Sequence, residues 1–173
     1  YRTILQHTET QFSQKFGYTF RLTDALSVAA YQALNLGEEA MPVSIVAQTL
    51  ANTAQEDGLS ALDEMTIVNW LVSRDLLLSY SGSRVSFFHQ SMTEYLASVE
   101  FARRFRDEPR YLAEKLQLRR WDQALFLGLN QLQEAYASSF IDEVISTDLI
   151  LAMRAIKYLE ADRQQVVDRV LAE

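Results

Sequence analysis

A mainly α-helical fold with one small β-hairpin is expected from three features of the chain. Only five Gly and two Pro interrupt 173 residues, so most segments can run on as helix. Apolar residues recur along most of the length at the three- and four-residue spacing of a helix face. The exception is a pair of short β-compatible runs, residues 76–80 and 84–88, flanking Ser81-Gly82-Ser83, where Gly82 can supply the positive φ of a tight turn.

Residues 1–21 are polar and aromatic, with Ile4, Leu5, Phe12 and Phe16 loosely helical in spacing and Gly17 as a stop. They are expected to be a linker or the tail of a preceding helical element. Thr23 or Asp24 can cap a helix to about Asn35, with Leu22, Leu26, Ala29, Ala30, Ala33 and Leu34 inward. Pro42 opens the next helix, whose stripe of Val43, Val46, Ala47 and Leu50 ends near Asn52, before a polar loop through Gly58. Asp63 can cap a third, residues 64–74, that buries Met65, Ile67, Val68, Leu71 and Val72 in some combination with Trp70. Three helices followed by a hairpin is winged-helix order, expected over residues 22–106. The helix closing this unit is expected from Ser91, because Ser91 and Glu94 fit an S-x-x-E capping box; Met92, Tyr95, Leu96, Val99, Ala102 and Phe105 then mark its inner face.

Beyond Pro109 the helical segments 110–118, 121–132, 135–146, 148–159 and 162–173 follow without a strand signal. They predict an antiparallel helical region, superhelical or HEAT-like, over residues 107–173, although no clean period names a repeat. Gly128, in an apolar helix, marks a place where two helices can approach closely.

Composition excludes several function classes. A net charge of −7 argues against general affinity for nucleic acid or anionic membrane, since polyanions require a concentrated positive surface. The local exception is Arg103, Arg104, Arg106, Arg110, Lys115, Arg119 and Arg120, expected to be mostly a solvated face. Without cysteine there is neither a disulfide framework nor a thiolate site, and His7 and His89 are too far apart in sequence to suggest a metal set. There is no apolar run long enough to cross a bilayer and no leader, and the chain begins at Tyr1. A soluble, cytoplasmic fragment of a larger protein is expected. It has no glycine-rich phosphate loop, so the fragment is not expected to be an enzyme. The neighbouring carboxylates Glu38/Glu39 and Asp63/Glu64 are better explained by capping and solvation than by catalysis. A DNA-reading winged helix is the rival, but its third helix would offer Asp63, Glu64, Asn69 and Arg74, and its wing only Arg84. A helical scaffold that binds a protein partner is the other alternative.

The residue with the clearest chemical potential is His89, placed between a strand and a helix N-terminus, where N–H groups and the macrodipole favour a phosphate. It can donate to a phosphate oxygen, or it can close the strand with one local hydrogen bond. Its context is Phe87-Phe88-His89-Gln90-Ser91-Met92-Thr93-Glu94-Tyr95-Leu96-Ala97. This segment resembles the Phe-x-His-x-Ser-Phe-x-Glu-Tyr-Leu-Ala signature that follows the ATPase core in NACHT proteins of the STAND class of signalling NTPases. Phe87, His89, Ser91, Glu94, Tyr95, Leu96 and Ala97 match; Met92 replaces an aromatic and Thr93 a common Gln. Segments 121–125 and 149–155 are more weakly similar to the helices after the family's winged helix, and the resemblance spans roughly residues 22–160, specific only around His89.

The resemblance implies a regulatory winged helix that closes over ADP in an ATPase core of the same polypeptide, with His89 contacting its phosphates. No cofactor is implied for the fragment alone; ADP or ATP with magnesium would belong to the parent. It further implies nucleotide-dependent activation, homo-oligomerisation of the activated parent, an unknown ligand or protein trigger, and signal transduction in a setting such as defence.

Overall fold

The computed structural model describes residues 1–59, 63–132, 134–155 and 168. Among them the fold is mainly helical with a small three-stranded antiparallel sheet, and the chain divides into two compact units, Tyr1–Ala97 and Ser98–Glu173. No described helix is long and apolar enough to cross a membrane.

The first unit contains α1 (Arg2–Phe16), α2 (Leu22–Leu36), β1 (Met41–Pro42), α3 (Val43–Glu56), α4 (Glu64–Ser73), β2 (Leu77–Tyr80), β3 (Arg84–Phe87) and the start of α5 (Gln90–Asp107). The sheet order is β1-β3-β2, with Met41 opposite Val85 and Leu77 opposite Phe87. A helix, a strand, two helices and a hairpin whose second strand lies between the other two is a winged-helix arrangement. The apolar stripes fall inward as their spacing requires: Leu26 and Ala30 of α2, Val46 and Leu50 of α3, and Ile67 and Leu71 of α4 are buried.

Residues 1–21 carry α1, which packs into this unit. Phe12 is fully buried, its ring centroid 5.5 to 5.6 Å from those of Tyr18, Phe20 and Trp70. α1 also caps its neighbour, because Glu9 Oε1 accepts the Thr23 N–H at 2.9 Å. Arg21 occupies the N-cap of α2 without a side-chain cap bond, so neither Thr23 nor Asp24 performs the expected role.

Two further departures have simple causes. α3 continues four residues past Asn52, since Thr53 and Ala54 extend its buried side although Thr53 is polar by type. Strand β1 was not expected, because two residues ending in a proline give no strand signal; Pro42 is tolerated at the sheet edge, where its missing N–H costs little. Elsewhere local chemistry works as expected. Asp63 accepts the Thr66 N–H at 3.1 Å and its hydroxyl at 2.7 Å, capping α4. The hairpin turns through Gly82 (φ 76°) and Ser83 (φ 55°), and the Ser83 carbonyl accepts the Val43 N–H at 2.9 Å, tying the wing tip to α3.

The second unit contains the rest of α5, α6 (Tyr111–Leu116), a 3-10 turn at Arg119–Trp121, α7 (Asp122–Leu129), α8 (Glu134–Thr147) and α9 (Leu149–Ala155). Its core is aromatic: Phe105 and Phe140 meet edge to face at 5.6 Å, and Phe101 lies within 6.3 Å of Phe140 and Trp121. Gly128 permits close approach of α7 to α5, since a Cβ there would stand 3.2 Å from the Phe101 ring. The single helix expected over 121–132 is a 3-10 turn followed by the shorter α7. Asp148 accepts the Leu151 N–H at 2.9 Å and so caps α9. Residues 156–159 of the expected fourth segment, and the fifth segment apart from Asp168, lie outside the described residues.

Candidate functional site

β3 delivers the chain to His89 at the head of α5. Phe88 still pairs, its N–H donating to the Leu76 carbonyl at 3.2 Å. The next residue turns. The His89 carbonyl accepts the N–H groups of Met92 (2.9 Å) and Thr93 (3.4 Å), while its ring Nδ1 accepts the N–H of Ser91 at 3.1 Å. His89 is therefore the N-cap, and its side chain satisfies one of the orphan donors of the first turn.

This corrects the expected capping box. α5 begins at Gln90, so Ser91 lies inside the first turn and has no cap to perform. Its hydroxyl instead sits 2.6 Å from His89 Nδ1 and also hydrogen-bonds the Tyr1 hydroxyl. Glu94 does not reach back to the backbone; Gln90 donates to it at 3.4 Å. Burial raises the Glu94 carboxyl above its ordinary value, while that hydrogen bond and the proximity of His89 pull it down.

The Nδ1 geometry fixes the chemistry of the ring. A backbone N–H can only donate, so Nδ1 must present its lone pair, and the neutral imidazole carries its proton on Nε2. His89 is exposed and lines a hollow of about 100 Å³ with Tyr80, Ser86, Phe88, Gln90 and Thr93. Whole-ligand pockets typically measure ~300–1,000 Å³. The hollow thus suits one small group of a larger ligand, not a nucleotide. Glu39 on its rim adds negative charge that works against an anion. The donor on His89 and the N-terminus of α5, which has no acidic residue in its first turn, work for one.

The remaining candidates are engaged elsewhere. Asp63 caps α4, and its hydrogen bonds from Thr66 hold its carboxyl below the usual range. Glu38 pairs with Arg84, which also donates to the Ala40 carbonyl. On α4, Met65, Thr66, Asn69 and Ser73 are exposed, and Arg74 lies over the Trp70 ring at 5.8 Å, so this helix offers no basic face to a phosphate backbone. Most of the basic segment is a solvated face, as expected: Arg103, Arg106, Arg110, Arg119 and Arg120 are exposed. The departures are at its inner edge, where Arg103 and Arg104 both bind the buried Glu100, and Lys115 is buried over the Trp121 ring at 5.2 Å. Burial lowers the Lys115 amine, Glu114 raises it, and the nearby Arg104 and Arg120 lower it. Among the described residues, no group of three or more His, Asp or Glu is placed to hold a metal ion.

Sequence reasoning missed Tyr1. Ninety residues separate it from Ser91, and no periodicity or motif joins positions so far apart. Compared with known proteins, the chain matches no protein-family model, no curated protein and no solved structure.

Proposed function

We propose that this chain is the regulatory winged-helix portion of a NACHT-type STAND NTPase, closing over ADP held by an ATPase core elsewhere in the polypeptide. The observation that carries the reading is His89: an exposed imidazole at a helix N-terminus, with Nδ1 occupied by Ser91 and its proton on Nε2, lining a hollow sized for one group. Such a ring donates to a phosphate oxygen without itself being charged. The residues present fit one phosphate contact; they do not fit a base, a ribose or a magnesium ion. In this reading ADP or ATP with magnesium is bound, and ATP hydrolysed, by the core, and the chain supplies a contact that exists only in the closed state. Loss of that contact favours nucleotide exchange, opening and homo-oligomerisation in response to a ligand or protein trigger.

The test uses the complete protein and the variant His89→Asn. Asn is a good N-cap, so α5 keeps its start while the imidazole donor is removed. ADP should dissociate about tenfold faster, the loss expected for about 1.4 kcal/mol of charge-assisted hydrogen bonding, and the population of large assemblies should rise. Unchanged ADP release and oligomer size would sink the proposal. A second reading, a helical protein-interaction scaffold, draws support from Ile150 and Met153 on α9, which are 69% and 58% exposed. Charged substitutions there would abolish partner capture while leaving ADP release unchanged.

A further inference from the structure

The hydroxyl of Tyr1 joins a chain of hydrogen bonds that runs through Ser91 Oγ to His89 Nδ1. The direction of this chain can be worked out from one fixed donor. Ser91 N–H points at Nδ1 at 3.1 Å and cannot accept, so a proton on Nδ1 would set donor against donor. With Nδ1 as acceptor, the Ser91 hydroxyl gives its single proton to the ring at 2.6 Å, and its oxygen is left to accept from Tyr1. All the donors then point towards the imidazole, an arrangement in which each bond polarises the next.

Tyr1 is itself anchored at two places. Its carbonyl accepts the Leu5 N–H at 3.0 Å, opening α1, and its ring lies 5.4 Å from that of Tyr95, one turn along α5 from Ser91. The start of α1 is thereby connected to the start of α5 at the residue next to the candidate donor.

We propose that Tyr1 is a positioning residue for His89, holding the imidazole through Ser91 in the tautomer that carries its proton on Nε2. A displacement of α1 would withdraw the Tyr1 hydroxyl, free the Ser91 proton to turn, and let the ring exchange tautomers or swing off the cap. The donor offered to a phosphate therefore depends on where α1 sits. The functional importance of this coupling rests on the phosphate-contact reading, whereas the coupling itself is a property of this chain and is tested without nucleotide.

The experiment is long-range ¹⁵N–¹H NMR of the imidazole nitrogens in the chain labelled at histidine, in alkaline buffer that keeps the rings neutral, with His7→Gln to leave one histidine signal. In the parent of this series Nε2 should show the signature of a protonated nitrogen and Nδ1 that of an acceptor. Tyr1→Phe keeps the ring against Tyr95 and removes only the hydroxyl. The ratio of Nε2–H to Nδ1–H tautomer should fall about fivefold, the effect of one ordinary hydrogen bond, with the melting temperature unchanged. Ser91→Ala, which removes both hydroxyl links and keeps the backbone N–H on Nδ1, should lower the ratio at least as far. An unchanged ratio in folded Tyr1→Phe would overturn the proposal. If the ratio falls while ADP release from the complete protein stays at the wild-type rate, the positioning role stands and the phosphate reading fails.

Discussion

The polar groups at the head of α5 and those of the second unit are organised in opposite ways. At the head of α5 they form an open series, Tyr1 to Ser91 to His89, that ends on an exposed ring beside a hollow. In the second unit they close on one another: Asp122 takes Arg154 at 2.9 Å, Arg119 bridges Asp122 and Asp148, and the buried Glu100 holds Arg103 and Arg104. A closed set of charges has its partners already and serves to orient helices. An open series directs a donor outward at low internal cost, as a binding contact requires.

The sharpest way to break this contrast is to strip the closed set. Arg103→Ala with Arg104→Ala leaves Glu100, only 2% exposed, without its two guanidinium partners, and should destabilise the second unit by about 3 kcal/mol. Urea unfolding would measure the loss, and the His89 tautomer should not change. A smaller effect is expected at Gly128. Alanine gains helix propensity but presses on the Phe101 ring at 3.2 Å, so Gly128→Ala should cost about 1 kcal/mol, read from the same transition.

At the open series, His89→Ala should cost about 1 kcal/mol through the lost cap, whereas His89→Asn should be nearly neutral in thermal melts. Ser91→Ala should cost less than His89→Ala, the reverse of what a capping box centred on Ser91 would give.

The smallest effects are those of pH, and two carboxyls of the first unit should act with opposite sign. Glu94 is raised by burial, so its contribution is complete below the ordinary value of 4.5 and is lost as pH climbs through the raised one. Asp63 is lowered by its bonds from Thr66, so its contribution is present above 3.8 and fades as pH falls through the lowered value. Urea midpoints across the acid range should show Asp63→Asn flattening the loss towards low pH, and Glu94→Gln removing the loss towards neutral pH.

The apolar stripes of α2, α3 and α4, the Asp63 cap and the turn at Gly82 were legible because each is set by residues within a few positions of one another. The place of His89 between strand and helix was legible for the same reason. Its role as the cap was not, because Ser91 and Glu94 carry the usual signature of one, and only the backbone path shows that helix geometry begins two residues earlier than that signature implies. β1, the packing of Phe12 against Trp70, the cap that Glu9 gives α2 and the link from Tyr1 to Ser91 all depend on contacts that only the fold brings together.

That last contact has a kinetic consequence. The hairpin and its junctions with α4 join near neighbours in the chain, whereas Tyr1 must find a residue ninety positions away. Contacts of short span form early and those of long span wait until the intervening segments have collapsed. During synthesis α1 emerges before α4 and α5 and cannot complete its packing until Trp70 and then α5 have followed. The alignment of His89 is therefore expected among the last events in folding this unit, with the sheet and helices built before α1 docks onto α5 and orders the donor.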